Sequence, residues 1–177
     1  MQNVVNERQD FIHSKGLKKP ESNLSDKGAG VGDRDIIKFN STSFGDIEIS
    51  KSKIITFAGG LFGFSHIQRF IIMEYEKEIP FMCLHAVDEP DIAFIIMNPL
   101  LIKTDYNIVI KESEISDLGN ADKKDLVVFV ILTIANDKSP QFTANLRAPL
   151  IINSITMKGK QVAMEGESFS IRHPLFG

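Results

Sequence analysis

The sequence predicts an all-β fold: a barrel-like set of antiparallel sheets with one short helix, behind a disordered N-terminal tail. Three observations carry this. From Ser41 onward, short runs rich in Ile, Val and Phe alternate with turn residues. A single stretch, ESEISDLG at 112–119, has helical character. The chain is 43% hydrophobic over 177 residues, enough for one core of ordinary size and one domain.

Residues 1–40 read as a flexible extension and 41–177 as the folded domain. The stretch KGLKKPESNLSDKGAGVGDRD (15–35) is polar and shows no sustained period of 3.6 or 2. A short helix around Val4–Ile12 is conceivable before it. DIEIS (46–50) then alternates apolar and polar residues with period two. KIITF (53–57), RFIIMEY (69–75), FMCLHAV (81–87), IAFIIMN (92–98), NIVI (107–110), LVVFVILTI (126–134) and LIIN (150–153) follow as strands. Gly119 ends the helical stretch. Many short strands with one small helix imply a barrel or sandwich, which closes or curls to hide its edges.

The formal net charge is −3, from 20 basic and 23 acidic residues, which argues against a nucleic-acid binder. Residues 1–40 hold seven basic and six acidic residues, so the body carries the acidic surplus and suits a basic protein partner. Cys83 stands alone and no apolar leader is visible, so a cytoplasmic protein is expected. The longest apolar runs, such as LVVFVILTIA, are too short to cross a bilayer as helices.

No active site assembles. FAGGLFGF (57–64) is glycine-rich, but neither GK[ST] nor the GxGxxG spacing appears, and a strand rather than a helix follows. Two readings of that stretch remain. Phe57, Phe62 and Phe64 plug the barrel end around a glycine turn, or one ring stays exposed and anchors a partner. Cys83 and His85 share one face of a strand, yet His66 and His173 lie in no metal-ligand spacing. Glu74, Glu76 and Glu78 read as the solvent side of a strand end. No metal or cofactor is expected, and the chain reads as a binding protein.

FTANLRAPLIIN (142–153) is more informative. If extended, Asn145, Arg147, Pro149, Ile151 and Asn153 share one face, opposite a core face of Leu146, Ala148, Leu150 and Ile152. Pro149 marks an edge or bulge. Arg147 offers a fork of donors to carboxylates or carbonyls, or else braces loops with Asn145 inside the molecule. The closing IRHPLFG (171–177) is a docked end or a recognition segment.

Residues 41–177 resemble the flagellar assembly factor FliW family. The likeness runs in order through TSFGDIEI, IITFAGGLFGF, IPFMCLHAV, DIAFIIMNP, VVFVILTI, TANLRAPLIIN, the GKQV at 159–162 and the closing RHPLF. TANLRAPLIIN followed by Gly-x-Gln is its most specific part. The family turn usually reads proline-x-Gly-Leu-Pro-Gly-Phe-Glu, where this chain has Ala58, Phe62 and Ser65 at the two prolines and the acid; Leu84, His85 and Ala86 replace a frequent Leu-Gln-Ser. The resemblance implies a non-enzymatic barrel that binds CsrA, an RNA-binding repressor of flagellin translation, and flagellin itself, by partner exchange. It contacts neither nucleic acid nor membrane. The expected contact surface comprises Phe62, Phe64, Asn98, Pro99, Asn145, Arg147, Pro149 and Asn153. A flavin-binding split-barrel oxidoreductase and a small-ligand carrier are the alternatives for a barrel of this size.

Overall fold

The computed structural model describes residues 2–4, 35–74, 79–119, 122–135, 141–166 and 168–175. The strands are β1 Gln2–Val4, β2 Ile36–Ser41, β3 Gly45–Ser50, β4 Ile55–Phe57, β5 Arg69–Glu74, β6 Phe81–Ala86, β7 Ala93–Met97, β8 Ile108–Ile110, β9 Leu126–Ala135, β10 Gln141–Ala144, β11 Leu150–Asn153, β12 Lys158–Gln161 and β13 His173–Pro174. Seven of them close a ring in the order β9, β11, β12, β4, β5, β6, β7 and back to β9. All neighbours in the ring are antiparallel except β12 and β4, which run parallel. Closure pairs strand edges that would otherwise invite other chains. The expected all-β barrel is the fold found.

β9 explains why its sequence is apolar without alternation. Val127 and Phe129 point into the barrel with Phe57, Phe70, Leu84, Ile96, Leu150 and Ile152. Leu126, Val128, Val130 and Leu132 point out, into a second core under Tyr106, Ile108, Ile110, Ile115 and Leu118. A strand covered on both faces needs apolar residues at every position. The same double covering buries all of β11.

The single α-helix among the described residues, Glu112–Ile115, belongs to that outer layer. Glu114 accepts a hydrogen bond from the Lys111 backbone N–H at 2.9 Å and fixes the helix start. The chain tightens into a 3₁₀ turn, Ser116–Leu118, and leaves it at Gly119 with φ 87°, where the sequence places the stop.

A hairpin of β2 and β3 covers the barrel on another side. Ile47 and Ile49 pack on Ile71, Met73, Cys83 and Val87. Its latch is His85, fully buried, whose Nε2 lies 2.7 Å from the Ser41 hydroxyl. Nδ1 sits 2.5 Å from the Ala86 carbonyl, so it carries the proton and donates, leaving Nε2 to accept from Ser41. Cys83 and His85 thus share a face, as expected, but that face is packed against the hairpin. Among the described residues no group of three or more His, Cys, Asp or Glu is placed to hold a metal.

β2 begins at Ile36, so folded structure reaches into the segment expected to be tail. Val4 lies in β1, while the rest of the suggested helix around Val4–Ile12 lies outside the described residues. Glu74 is half-buried rather than on a solvent face; Glu76 and Glu78 are outside the described residues. No described helix is long and apolar enough to cross a membrane.

Candidate functional site

The FAGGLFGF stretch is a lid on the barrel interior. The Gly60 N–H donates to the Phe57 carbonyl at 2.9 Å, and Leu61 bridges to Phe64. Gly60 has φ 63°, and a Cβ there would lie 2.4 Å from the Phe64 carbonyl oxygen, so only glycine fits the turn. Phe57, Leu61 and Ile67 are buried, and Phe64 packs edge-on against Phe94 at 5.0 Å. Phe62 turns the other way and is 57% exposed. Phe57 and Phe64 thus close the barrel end, while the Phe62 ring stays exposed.

The run TANLRAPLIIN is not one extended strand. β10 and β11 both pair with β9: Ala144 lies opposite Leu132, and Leu150 opposite Phe129. Residues 145–149 therefore face only residues 130 and 131 of β9, and the surplus chain bulges outward. This corrects the alternating-face expectation. The bulge is built by Asn145, whose Oδ1 accepts the N–H groups of Arg147 and Ala148, both at 3.1 Å. Such side-chain turns compete directly with a strand ladder. Leu146 and Pro149 are buried. The Arg147 and Pro149 carbonyls accept from the Met164 and Val162 N–H groups, at 2.8 and 3.0 Å. The Arg147 side chain is half-exposed, and its guanidinium makes no hydrogen bond or ion pair among the described residues.

The expected surface residues separate by burial. Asn98 is buried and caps a 3₁₀ turn, its Oδ1 accepting from the Leu100 N–H at 3.0 Å, with Pro99 buried beside it. Asn153 is fully buried. Its Nδ2 donates to the Leu118 carbonyl at 3.1 Å, and its Oδ1 accepts from the Ile155 and Thr156 N–H groups. It ties the end of the helical segment to the β11–β12 turn. Asn153→Ala is expected to lower the unfolding free energy by about 2 kcal/mol in a urea titration, since the fully buried amide gives up three hydrogen bonds to backbone groups of the turn and the helical segment.

One residue outside the expected set joins the Phe62 turn to the 145–149 bulge. Gln161 Oε1 accepts the Phe62 N–H at 2.8 Å, and its Nε2 donates to the Ala148 carbonyl at 3.2 Å. The Phe62 lid and the Arg147 bulge are thereby one platform. Its signal in sequence is the Gly-x-Gln spacing: on a strand, Gly159 and Gln161 face the same way, toward the barrel. Asn153 lies at the other end of β11, opposite Lys158, and is not part of this platform.

Tyr106 closes the loop after Pro99 onto the bulge, its hydroxyl donating to the Leu146 carbonyl at 2.7 Å. Burial pushes its phenol pKa well above the ordinary value. Unfolded tyrosine ionises near pH 10 and the folded side chain does not, so this contribution to stability is constant below about pH 10 and declines above it. Tyr106→Phe should cost about 1 kcal/mol at neutral pH while flattening the loss between about pH 10 and 11, in urea titrations across that range.

Residues 38–175 match the family model described as FliW protein. The chain belongs to the FliW family. A flagellar assembly factor FliW of Thermosipho africanus (strain TCF52B) is 34% identical over 139 residues, covering 78% of this chain and 95% of the relative. The FliW of Alkaliphilus metalliredigens (strain QYMF) is 40% identical over 131 residues, covering 73% and 80%. A crystal structure of the flagellar assembly factor FliW has a TM-score of 0.72 at 32% identity, covering 79% of this chain and 97% of that one. The family, the flagellar-assembly role and the barrel read from sequence agree with these likenesses. The FliW match begins at Lys38, inside β2, and leaves β1 outside it.

Proposed function

We propose that this chain serves flagellar assembly in the cytoplasm by exchanging two protein partners, a CsrA-type RNA-binding repressor and flagellin, so that capture of the repressor relieves its block on flagellin translation. The observation that supports the reading is the platform in which Gln161 ties the exposed Phe62 to the bulge that carries Arg147, whose guanidinium makes no hydrogen bond or ion pair among the described residues. Aromatic and Arg side chains are the residues that dominate protein interfaces. Phe62 and Arg147 are the direct contacts; Phe64, Asn98, Pro99, Asn145, Pro149 and Asn153 shape the loops around them. A mildly acidic body favours encounter with a basic repressor. The barrel interior is filled by Phe57, Phe70, Phe129 and their neighbours, which fits work done on the outside rather than ligand carriage within. No catalysis and no direct nucleic-acid contact enter the scheme.

The test is calorimetric titration of the purified chain with flagellin and with the repressor, singly and in competition. Each should bind, and saturation with one should weaken the other. Binding of neither, or binding of both without mutual effect, would overturn the exchange.

A further inference from the structure

β8 has an unusual position. Ile108 and Ile110 are fully buried in the outer core, while Val109 between them is 44% exposed. The barrel strands pair with one another, and among the described residues the one strand that pairs with β8 is β1. The pairing is antiparallel, with Gln2 opposite Ile110, Asn3 opposite Val109 and Val4 opposite Ile108. β1 lies outside the FliW match, whereas β8 lies within it. In this chain the strand that pairs with β8 thus comes from outside the matched region, and without β1 that edge of β8 has no strand partner among the described residues. Such an edge is a ready template for an added strand.

We propose that the edge of β8 is a docking edge for an extended polypeptide segment of a protein partner, and that Gln2–Val4 occupies it as a displaceable internal strand. The occupant already seated there shows the chemistry the edge accepts: an antiparallel main chain. A strand of three residues forms few ladder bonds, so a longer partner strand outcompetes it. While β1 is in place only part of the population is competent to bind, and the apparent affinity falls in proportion. This edge is distinct from the Phe62 and Arg147 platform, but its probes rest on the partner-binding reading above.

Two variants of the full chain test it. Asn3→Pro removes a donor and distorts the short strand. Asn3→Cys with Val109→Cys places two thiols at opposed positions, so oxidation locks the strand in place; the native Cys83 is buried. Amide exchange over residues 106–111 should rise about tenfold in Asn3→Pro and fall in the oxidised pair, with residues 126–131 unchanged. Purified flagellin or purified repressor should then bind Asn3→Pro about tenfold more tightly than the parent chain, and the oxidised pair about tenfold more weakly. Unchanged exchange over 106–111 overturns the internal strand. Altered exchange with the same affinity for both probes in all forms overturns the docking edge alone. If neither probe binds any form, the partner-binding reading falls and the docking edge falls with it.

Discussion

Gly159→Ala is expected to lower the unfolding free energy by about 3 kcal/mol, the upper range for overpacking a filled core. Gly159 sits on β12 between two partners, Ile152 on β11 and Phe57 on β4. A Cβ there would lie 2.4 Å from Phe57 Cζ and 2.7 Å from both Cε atoms. The ring cannot simply withdraw. Phe57 is fully buried and meets Phe70 edge-on at 5.5 Å, inside a barrel already filled by Leu84, Phe129 and Leu150. Urea titration measures the loss, and Phe57→Leu in the Gly159→Ala background should recover part of it, because the two sites share one volume. A loss under about 1 kcal/mol would mean that the lid relaxes and that Gly159 is not the spacer of the barrel.

The strands legible in the sequence are those whose residues face one core and one solvent, such as DIEIS, or two cores, such as the β9 run. Strands without such a pattern, or set against a polar segment, leave little trace. In KGKQ the outward residues are Lys158 and Lys160, and the inward ones are Gly159 and Gln161, so no apolar residue marks the period. IIKFNS adjoins a polar segment that masks it, although Ile37 and Phe39 pack on the hairpin side of the barrel. The pairing of β1 with β8 joins residues more than a hundred positions apart, and local pattern carries no trace of it. The bulge was half legible. Pro149 announced an interruption, but Asn145 decides its shape by taking two backbone donors from what would have been a ladder. The same chemistry at Asn98 and Asn153 turns residues that looked like surface contacts into interior caps. Family likeness marks such residues without distinguishing a contact from a cap; burial and hydrogen bonding make that distinction.

Arg147→Ala is expected to weaken binding of the repressor or flagellin by about thirtyfold, equivalent to about 2 kcal/mol, with the melting temperature nearly unchanged. The separation follows from which parts of Arg147 are engaged. Its backbone N–H and carbonyl hold the bulge through Asn145 and Met164, and the substitution preserves both. Its guanidinium engages nothing among the described residues, so removing it leaves no buried partner stranded. Arg147→Lys should restore little, since a point charge does not reproduce a bidentate fork on a carboxylate. Gln161→Leu is the contrasting case. It strands the Phe62 N–H and the Ala148 carbonyl together, so it should lower stability by about 2 kcal/mol and weaken binding as the lid and bulge uncouple. Calorimetric titration alongside thermal melts reads both quantities for each variant. If Arg147→Ala unfolds the chain, or binds both partners as the parent does, the guanidinium is an internal brace and the contact surface lies elsewhere on the barrel.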